Sequence, residues 1–229
     1  MPVHPLVHRL RYEETLAALA AGGVCLYPTE TFYALGCDAR NRRAVERVIA
    51  LKGRSMTKGL PLIIGAPEQL ASLTPEFSPS IAHAPRARLL ESLIRHVWPG
   101  PLTILFAAAP DLGPEITGGS GYVAVRLSAH PIARRLSVDL GAPLVATSAN
   151  ASGQPPAARP EQLDPALIDA TGGYCSEGPP PAGGLPSTLV AVHADDAPPC
   201  LHLLREGAID ADCLSRLGFR VVRPPLSRP

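Results

Sequence analysis

The sequence has no apolar run long enough to cross a bilayer and no strong net charge of either sign. The longest apolar stretch, residues 17–27, is interrupted by Gly22 and Gly23, whereas a membrane-spanning helix needs about 20 apolar residues. The N-terminus lacks the apolar core of a signal peptide. Net charge is +1 and only 4% of residues are aromatic, which argues against a dedicated RNA-binding protein. We therefore expect a cytoplasmic protein with no membrane association.

The chain also lacks the residue patterns of metal centres, disulfide frameworks and common nucleotide-binding loops. Its five cysteines are odd in number, widely spaced and never form C-x-x-C, and no H-E-x-x-H occurs. Nothing matches G-x-x-x-x-G-K-[ST], and no G-x-G-x-x-G follows a predicted strand. No nucleophile has a histidine in a recognisable triad arrangement. We expect no metal site built from protein ligands, and any ATP must bind without a P-loop.

Lysine is nearly absent, because only Lys52 and Lys58 among the 21 basic residues are lysines. Both lie in the segment 52–58, together with Arg54. A compact ammonium and a planar guanidinium are not interchangeable at a phosphate site, so this segment is a candidate phosphate-binding loop. The alternative is a solvated helix end, where basic side chains oppose the helix dipole.

Apolar segments of helical and strand type alternate along the chain, separated by turns that use its 20 glycines and 27 prolines. Some predicted strands adjoin with no helix between them, which favours a single α/β domain with a twisted mixed (parallel and antiparallel) sheet and helices around it. We assign this domain to residues 1–210 and predict a short, Arg- and Pro-rich C-terminal tail at 211–229, which we expect to be loosely ordered after Gly218. The predicted helices are 12–21, 42–51 (capped by Asn41), 67–73, 86–97 and 131–140, and the predicted strands are 24–27, 60–64, 102–108, 122–127, 144–147, 187–193 and 201–205.

Polar residues that could bind a ligand are concentrated in the loops 28–33, 52–58 and 148–153. In open α/β sheets, ligands bind beyond the carboxyl ends of the strands, so we expect these loops to converge on one cleft. Glu30 is the one acidic residue in these loops. We expect its carboxylate to orient another group or to cap the loop backbone.

Arg126 lies in the otherwise apolar strand 122–127, where alternation places it on the same face as Tyr122 and Ala124. A buried arginine needs an anionic partner. Its fork of donors suits the carboxylate or phosphate of a ligand, and the alternative is a structural salt bridge within the protein.

Seven segments together resemble the YrdC-like family, the L-threonylcarbamoyladenylate synthases. They occur in the order found in that family: PTETFYALG at 28–36, KGRSMTKGL at 52–60, WPGPLT at 98–103, VAVRL at 123–127, TSANASG at 147–153, PST at 186–188 and REGAI at 205–209. No single segment is decisive, but seven in order across roughly residues 12–210 are highly specific. The chain is similar to the short, single-domain type. It departs from the family pattern at Ala34, where glycine is usual, and at Ser55, where proline is common.

The resemblance implies ligand-binding roles for a defined set of residues. L-threonine would be bound by Thr31, Arg126, Ala146 and Ser187, with Arg126 holding its carboxylate. ATP would be bound by Lys52, Arg54, Lys58, Tyr122, Ser148, Asn150 and Arg205, of which Lys52, Arg54 and Lys58 are the expected catalytic residues.

The resemblance also implies a reaction, in which L-threonine, bicarbonate and ATP give threonylcarbamoyl-AMP and pyrophosphate, with Mg²⁺ carried by ATP. Downstream proteins would then transfer the threonylcarbamoyl group to tRNA. Displacement at phosphorus depends on positioning and charge neutralisation, which fits a positively lined concave cleft without a nucleophile. The alternative function is a module that binds double-stranded RNA or tRNA in the same cleft without catalysis. The segment 154–184, rich in proline and glycine, is either a lid or an inert surface loop.

Overall fold

Residues 8–53, 59–78, 84–151, 153–192 and 198–223 are described by the computed structural model of the chain. Their helices are α1 (Tyr12–Ala20), α2 (Arg42–Lys52), α3 (Pro85–Val97), α4 (Pro114–Thr117), α5 (Pro131–Leu140), α6 (Pro165–Thr171) and α7 (Ala211–Arg216). The predicted helix at 67–73 is instead a 3₁₀ segment, Pro67–Ser72. Gln69 Oε1 accepts hydrogen bonds from the N–H groups of Gly65 and Ala66 at 2.7 and 3.2 Å, which holds this segment in a tight turn. None of the helices in these ranges is long and apolar enough to span a membrane.

The strands form two mixed sheets, whereas the sequence predicted one. They are β1 (Arg9–Leu10), β2 (Cys25–Pro28), β3 (Tyr33–Gly36), β4 (Leu62–Ile64), β5 (Leu102–Ala107), β6 (Tyr122–Leu127), β7 (Leu144–Val145), β8 (Thr147–Ser148), β9 (Tyr174–Cys175), β10 (Thr188–Ala191), β11 (Leu201–Arg205) and β12 (Val221–Val222). The smaller sheet has the order β1-β9-β2-β3-β8, and the larger has the order β12-β11-β10-β5-β6-β4-β7.

The two sheets meet at Ala146, which divides the predicted strand 144–147. Before it, β7 pairs antiparallel with β4 of the larger sheet. After it, β8 pairs antiparallel with β3 of the smaller sheet. Period-two alternation describes each half but carries no information about a change of pairing partner, so the sequence did not reveal the division.

The hairpin of β2 and β3 forms the central part of the smaller sheet and carries the loop that was predicted at 28–33. Pro28 pairs with Tyr33, so the loop is shorter than expected and Tyr33 begins a strand. Thr29 Oγ1 donates a hydrogen bond to the carbonyl of Phe32 at 2.7 Å and closes the turn. Gly36 ends β3 close to the backbone of β7, where an added Cβ would lie 1.7 Å from the Val145 carbonyl oxygen. Only glycine fits that approach.

Helix α2 forms as the sequence predicted and brings Lys52 towards the smaller sheet. The side chain of Asn41 accepts a hydrogen bond from Ala44 N at 3.1 Å, which caps the helix. Val45 and Val48 are fully buried in the core on one face of the helix. Gly53 follows with φ of 55°, the left-handed conformation that commonly ends a helix.

The C-terminal residues 211–223 form a helix and a strand, so the expectation of loose order after Gly218 is wrong for residues 219–223. Helix α7 begins at Ala211, directly after the predicted domain boundary, and β12 pairs in parallel with β11. Leu214 is fully buried and Phe219 is nearly so. Burial of these two side chains holds the segment against the larger sheet. The domain boundary at residue 210 stays a prediction.

Candidate active site

A cleft of about 320 Å³ is lined by residues of both sheets. The hairpin loop contributes Thr31, the junction between sheets contributes Ala146 and Ser148, and the larger sheet contributes Arg126 and Ser187. Arg205, at the end of β11, also lines this cleft. The fold therefore brings six of the predicted ligand-binding residues together, from segments far apart in sequence.

Arg126 is held in the cleft by an ion pair with Glu30. Its Nη1 lies 3.2 Å from Glu30 Oε1, and only 9% of the Arg126 side chain is exposed. The other carboxylate oxygen of Glu30 accepts a hydrogen bond from the hydroxyl of Ser128. Glu30 Oε1 lies outside hydrogen-bond geometry, so the guanidinium is paired by charge on one side only. The structural salt bridge is therefore present, and Arg126 also lines the cleft, so its role in binding a ligand stays a prediction.

Arg205, on the neighbouring strand β11, donates hydrogen bonds to Ser187. Its Nη2 donates to the Ser187 carbonyl at 2.8 Å and to Ser187 Oγ at 3.2 Å. Burial, and to a lesser extent the positive charge of Arg126, lower the pKa of the Arg205 guanidinium from its ordinary value. The two arginines thus repel each other, and an anion placed between them would relieve that repulsion.

Lys52 fixes the loop after β8. Its ammonium donates to the carbonyl oxygens of Ser148, at 2.8 Å, and of Asn150, and to Asn150 Oδ1 at 3.0 Å. The residue is almost completely buried and does not line the cleft. Lys52 therefore supports the loop that presents Ser148.

The remaining predicted ATP-binding residues lie outside the cleft or outside the described residues. Tyr122, at the far end of β6, is 41% exposed. Asn150 lines a neighbouring cavity of about 500 Å³ together with Gln154 and Gln162. Arg54 and Lys58, like Ser55, fall in the segment 54–58, which lies outside the described residues. The positive lining of the cleft stays a prediction, since Glu30 offsets the charge of Arg126.

Thr29, Thr103 and Thr147 line the cleft but were missed by the sequence analysis. Thr29 lines it from the hairpin, and Thr103 lines it from β5 with only 4% of its surface exposed. Thr103 could have been found from alternation, because Leu102, Ile104 and Phe106 point into the core and leave it as the polar residue on the opposite face.

The segment 154–184 contacts the hairpin loop beside the cleft. The N–H groups of Ala182 and Gly183 donate to the carbonyls of Glu30 and Thr31 at 3.2 and 2.8 Å. His130 Nε2 donates to the Pro179 carbonyl at 2.8 Å, while its Nδ1 accepts from Ile132 N. This pattern requires a neutral ring, and burial lowers the pKa of His130 from its ordinary value. The segment is therefore attached to the hairpin loop by backbone hydrogen bonds.

Comparison with known proteins identifies the family. A model of the Sua5/YciO/YrdC family, described as "Telomere recombination", matches residues 17–207. The chain belongs to the Sua5/YciO/YrdC family. Relatives in this family include the threonylcarbamoyl-AMP synthase of Alkalilimnicola ehrlichii, 44% identical over 68% of this chain and 76% of that protein. The threonylcarbamoyl-AMP synthase of Stenotrophomonas maltophilia is 40% identical over 69% of this chain and 82% of that protein.

A solved Sua5 structure shares the fold. The crystal structure of P. abyssi Sua5 complexed with L-threonine has a TM-score of 0.75 and 29% sequence identity to this chain. The alignment covers 93% of this chain and 60% of that one, so the present chain spans less than two thirds of the length of P. abyssi Sua5. The prediction of a mixed α/β fold of this family is confirmed.

Ala34, where the resemblance led us to expect glycine, has an ordinary strand backbone. It lies in β3, paired with Tyr27 and Ser148, and is nearly buried against the cleft. No non-glycine residue in the described part of the chain has positive φ, so the backbone at Ala34 does not require glycine. The methyl group of Ala34 forms part of the cleft wall at this point.

Proposed function

We propose that this chain is a threonylcarbamoyl-AMP synthase, which joins L-threonine, bicarbonate and ATP and releases pyrophosphate. Two relatives that carry this name are 40% and 44% identical to it. The observation that carries the proposal is that Thr31, Arg126, Ala146 and Ser187, from four separate segments, line one cleft. These are the residues that the sequence resemblance assigned to L-threonine.

In the threonine subsite, Arg126 binds the substrate carboxylate. Its guanidinium is buried on the wall of the cleft, and Glu30 restrains it from one side without occupying its full set of five donors. Charge-assisted hydrogen bonds to a carboxylate are stronger than neutral ones, especially in a partly dehydrated site. The hydroxyl groups of Thr31 and Ser187 supply further polar contacts, and Ala146 gives the small surface between them.

ATP binds along the open side of the same cleft in this proposal. Ser148 and Arg205 face its phosphates, while Lys52 acts by holding the 148–150 loop rather than by direct contact. Tyr122 precedes Arg126 by four residues on β6, a distance of roughly 13 Å along the strand, so ATP must extend that far from the threonine subsite to contact Tyr122. A nucleoside triphosphate is long enough. Asn150, Arg54 and Lys58 complete the nucleotide site by resemblance alone.

The chemistry needs positioning more than reactive side chains. The threonine amine and bicarbonate form a carbamate with loss of water, and a carbamate oxygen attacks the α-phosphorus of ATP while pyrophosphate leaves. Arginine and hydroxyl groups in the cleft orient the carbamate and stabilise the charge that develops on the phosphate oxygens. Glu30, the acidic residue beside Arg126, is already paired, so this donor set does not hold Mg²⁺ by itself. In this proposal Mg²⁺ arrives with ATP.

The wider assignments rest on this function. We place the synthase domain at residues 1–210 with a C-terminal segment at 211–229, which is supported by the family match ending at residue 207. The product is an activated acyl group, so separate transfer proteins must pass it to tRNA. Because ATP is the substrate and tRNA is the final acceptor of the group in this proposal, we place the enzyme in the cytoplasm.

The test is pyrophosphate release from ATP by the purified protein, with L-threonine, bicarbonate and Mg²⁺ omitted in turn. We expect release only when threonine and bicarbonate are both present, with L-serine as the substrate control. Folded protein that releases no pyrophosphate under any combination would overturn the proposal.

A further inference from the structure

Thr103 lines the cleft but was not among the predicted site residues. It lies on β5, between β6 and β10. Arg126 is part of β6, and Ser187 directly precedes β10. Thr103 pairs with Leu189 on β10, and it precedes Ile104, whose partner on β6 is the residue before Arg126. Its Oγ1 lies 2.8 Å from Ser187 Oγ. Thr103 therefore lies beside Arg126 and Ser187, two of the four residues expected to bind L-threonine.

The donors and acceptors of these hydroxyl groups can be counted. Ser187 Oγ already accepts a hydrogen bond from Arg205 Nη2 at 3.2 Å. The contact between Thr103 and Ser187 uses one of their two hydroxyl hydrogens, whichever residue donates. Among the described residues, the other hydrogen has no protein acceptor. In either arrangement, the pair retains one donor on the wall of the cleft.

The two hydroxyl oxygens of this pair have restricted positions. Threonine is branched at Cβ, which restricts its side-chain rotation, and Thr103 is almost fully buried. Arg205 fixes the carbonyl and hydroxyl of Ser187 from the other side. Hydroxyl oxygens that are held in place before the ligand binds are suited to present a hydrogen to a carboxylate or carbamate oxygen.

We propose that Thr103 is a positioning residue of the threonine subsite, which orients the hydroxyl of Ser187 towards the bound amino acid. This inference rests on the proposed function. It assigns Thr103 a role that acts through Ser187, so the two residues form one unit rather than two independent contacts. A buried threonine whose hydroxyl only satisfied the fold would have no such dependence.

The test uses Thr103→Val, which removes the hydroxyl at nearly constant volume, and Thr103→Ser, which keeps it. The KM for L-threonine and kcat are measured from pyrophosphate release. We expect Thr103→Val to raise this KM about tenfold, the equivalent of one lost hydrogen bond, with kcat changed less than KM. Thr103→Ser should stay within about threefold of the wild type, because the hydroxyl remains.

The decisive comparison is the double variant. If Thr103 acts through Ser187, Thr103→Val with Ser187→Ala should have the same KM as Ser187→Ala alone, since effects within one unit are not additive. Thr15→Val is the matched control, because this buried hydroxyl on α1 donates to the Arg11 carbonyl, at 2.9 Å, and lies outside the cleft. Its KM should equal that of the wild type.

Two outcomes would overturn the inference while leaving the proposed function intact. One is a threonine KM for Thr103→Val within twofold of the wild type, and the other is additive effects in the double variant. Circular dichroism and thermal melting establish that each variant is folded, and loss of folding in Thr103→Val transfers the test to Thr103→Ser and Ser187→Ala. Wild-type protein that neither releases pyrophosphate nor binds L-threonine in calorimetry would instead overturn the proposed function, and the inference with it.

Discussion

Replacing Lys52 with methionine separates the two roles that the sequence and the structure give to this lysine. The change keeps the apolar stem and removes the ammonium, which donates to the Ser148 carbonyl at 2.8 Å, to Asn150 Oδ1 at 3.0 Å and to the Asn150 carbonyl. Hydrogen bonds from a charged group contribute about 1.5–3 kcal/mol each, but water can reach the partly exposed loop. We expect a loss of about 2–3 kcal/mol in the free energy of unfolding.

For a domain of this size, that loss corresponds to a decrease in Tm of roughly 5–10 °C. Differential scanning calorimetry measures it, and pyrophosphate release at varied ATP concentration reports on the loop. We expect the KM for ATP to rise together with the decrease in Tm, because a loosened 148–150 loop no longer presents Ser148. The matched control is Arg43→Met, on the exposed face of the same helix, with an unchanged Tm. A variant with normal Tm and impaired ATP use would refute the supporting role and favour direct contact with the nucleotide.

Three further predictions concern the cleft and its frame. Arg126→Ala should raise the KM for L-threonine by about 10- to 100-fold, because the carboxylate loses a charge-assisted pair, and an unchanged KM in folded protein would remove Arg126 from the subsite. Gly36→Ala should destabilise the fold by about 3 kcal/mol or more in urea unfolding, because its Cβ would lie 1.7 Å from the Val145 carbonyl oxygen, and wild-type stability would contradict the close approach of the two sheets. Lys58→Ala should raise the KM for ATP more than that for threonine, and unaltered ATP kinetics would exclude this lysine from the nucleotide site.

Local features of the fold were predictable because their causes lie within a few residues. Asn41 caps α2, and the spacing of Val45 and Val48 places one face of that helix in the core. Strand alternation placed Arg126 on the face that lines the cleft. In each case, a short window of sequence contains both the signal and the partner.

Features that depend on distant pairing were not predictable in the same way. The change of sheet at Ala146 depends on β4 and β3, which are far away in the chain. The ion pair of Arg126 with Glu30 depends on where the hairpin loop comes to lie. The ordered structure of residues 219–223 depends on burial of Phe219 in the core and on the pairing of β12 with β11, whereas composition alone suggested loose order after Gly218.

The candidate site shows the same division. The resemblance gave residue identities, and Thr31, Arg126, Ala146, Ser148, Ser187 and Arg205 lie together at the cleft. It did not distinguish residues at the cleft from those that support it, so Lys52 was expected beside ATP. Burial and hydrogen bonding place its ammonium against the 148–150 loop. The roles of the six cleft residues in binding stay predictions.

The most direct test of the central claim is mass spectrometry of the product formed from ATP, L-threonine and bicarbonate labelled with carbon-13. We expect an adduct of AMP with a threonylcarbamoyl group that contains the labelled carbon and is absent when threonine is omitted. An AMP product that lacks the label, or pyrophosphate release with no adduct under conditions that preserve it, would contradict the assignment of this cleft to threonylcarbamoyl-AMP synthesis.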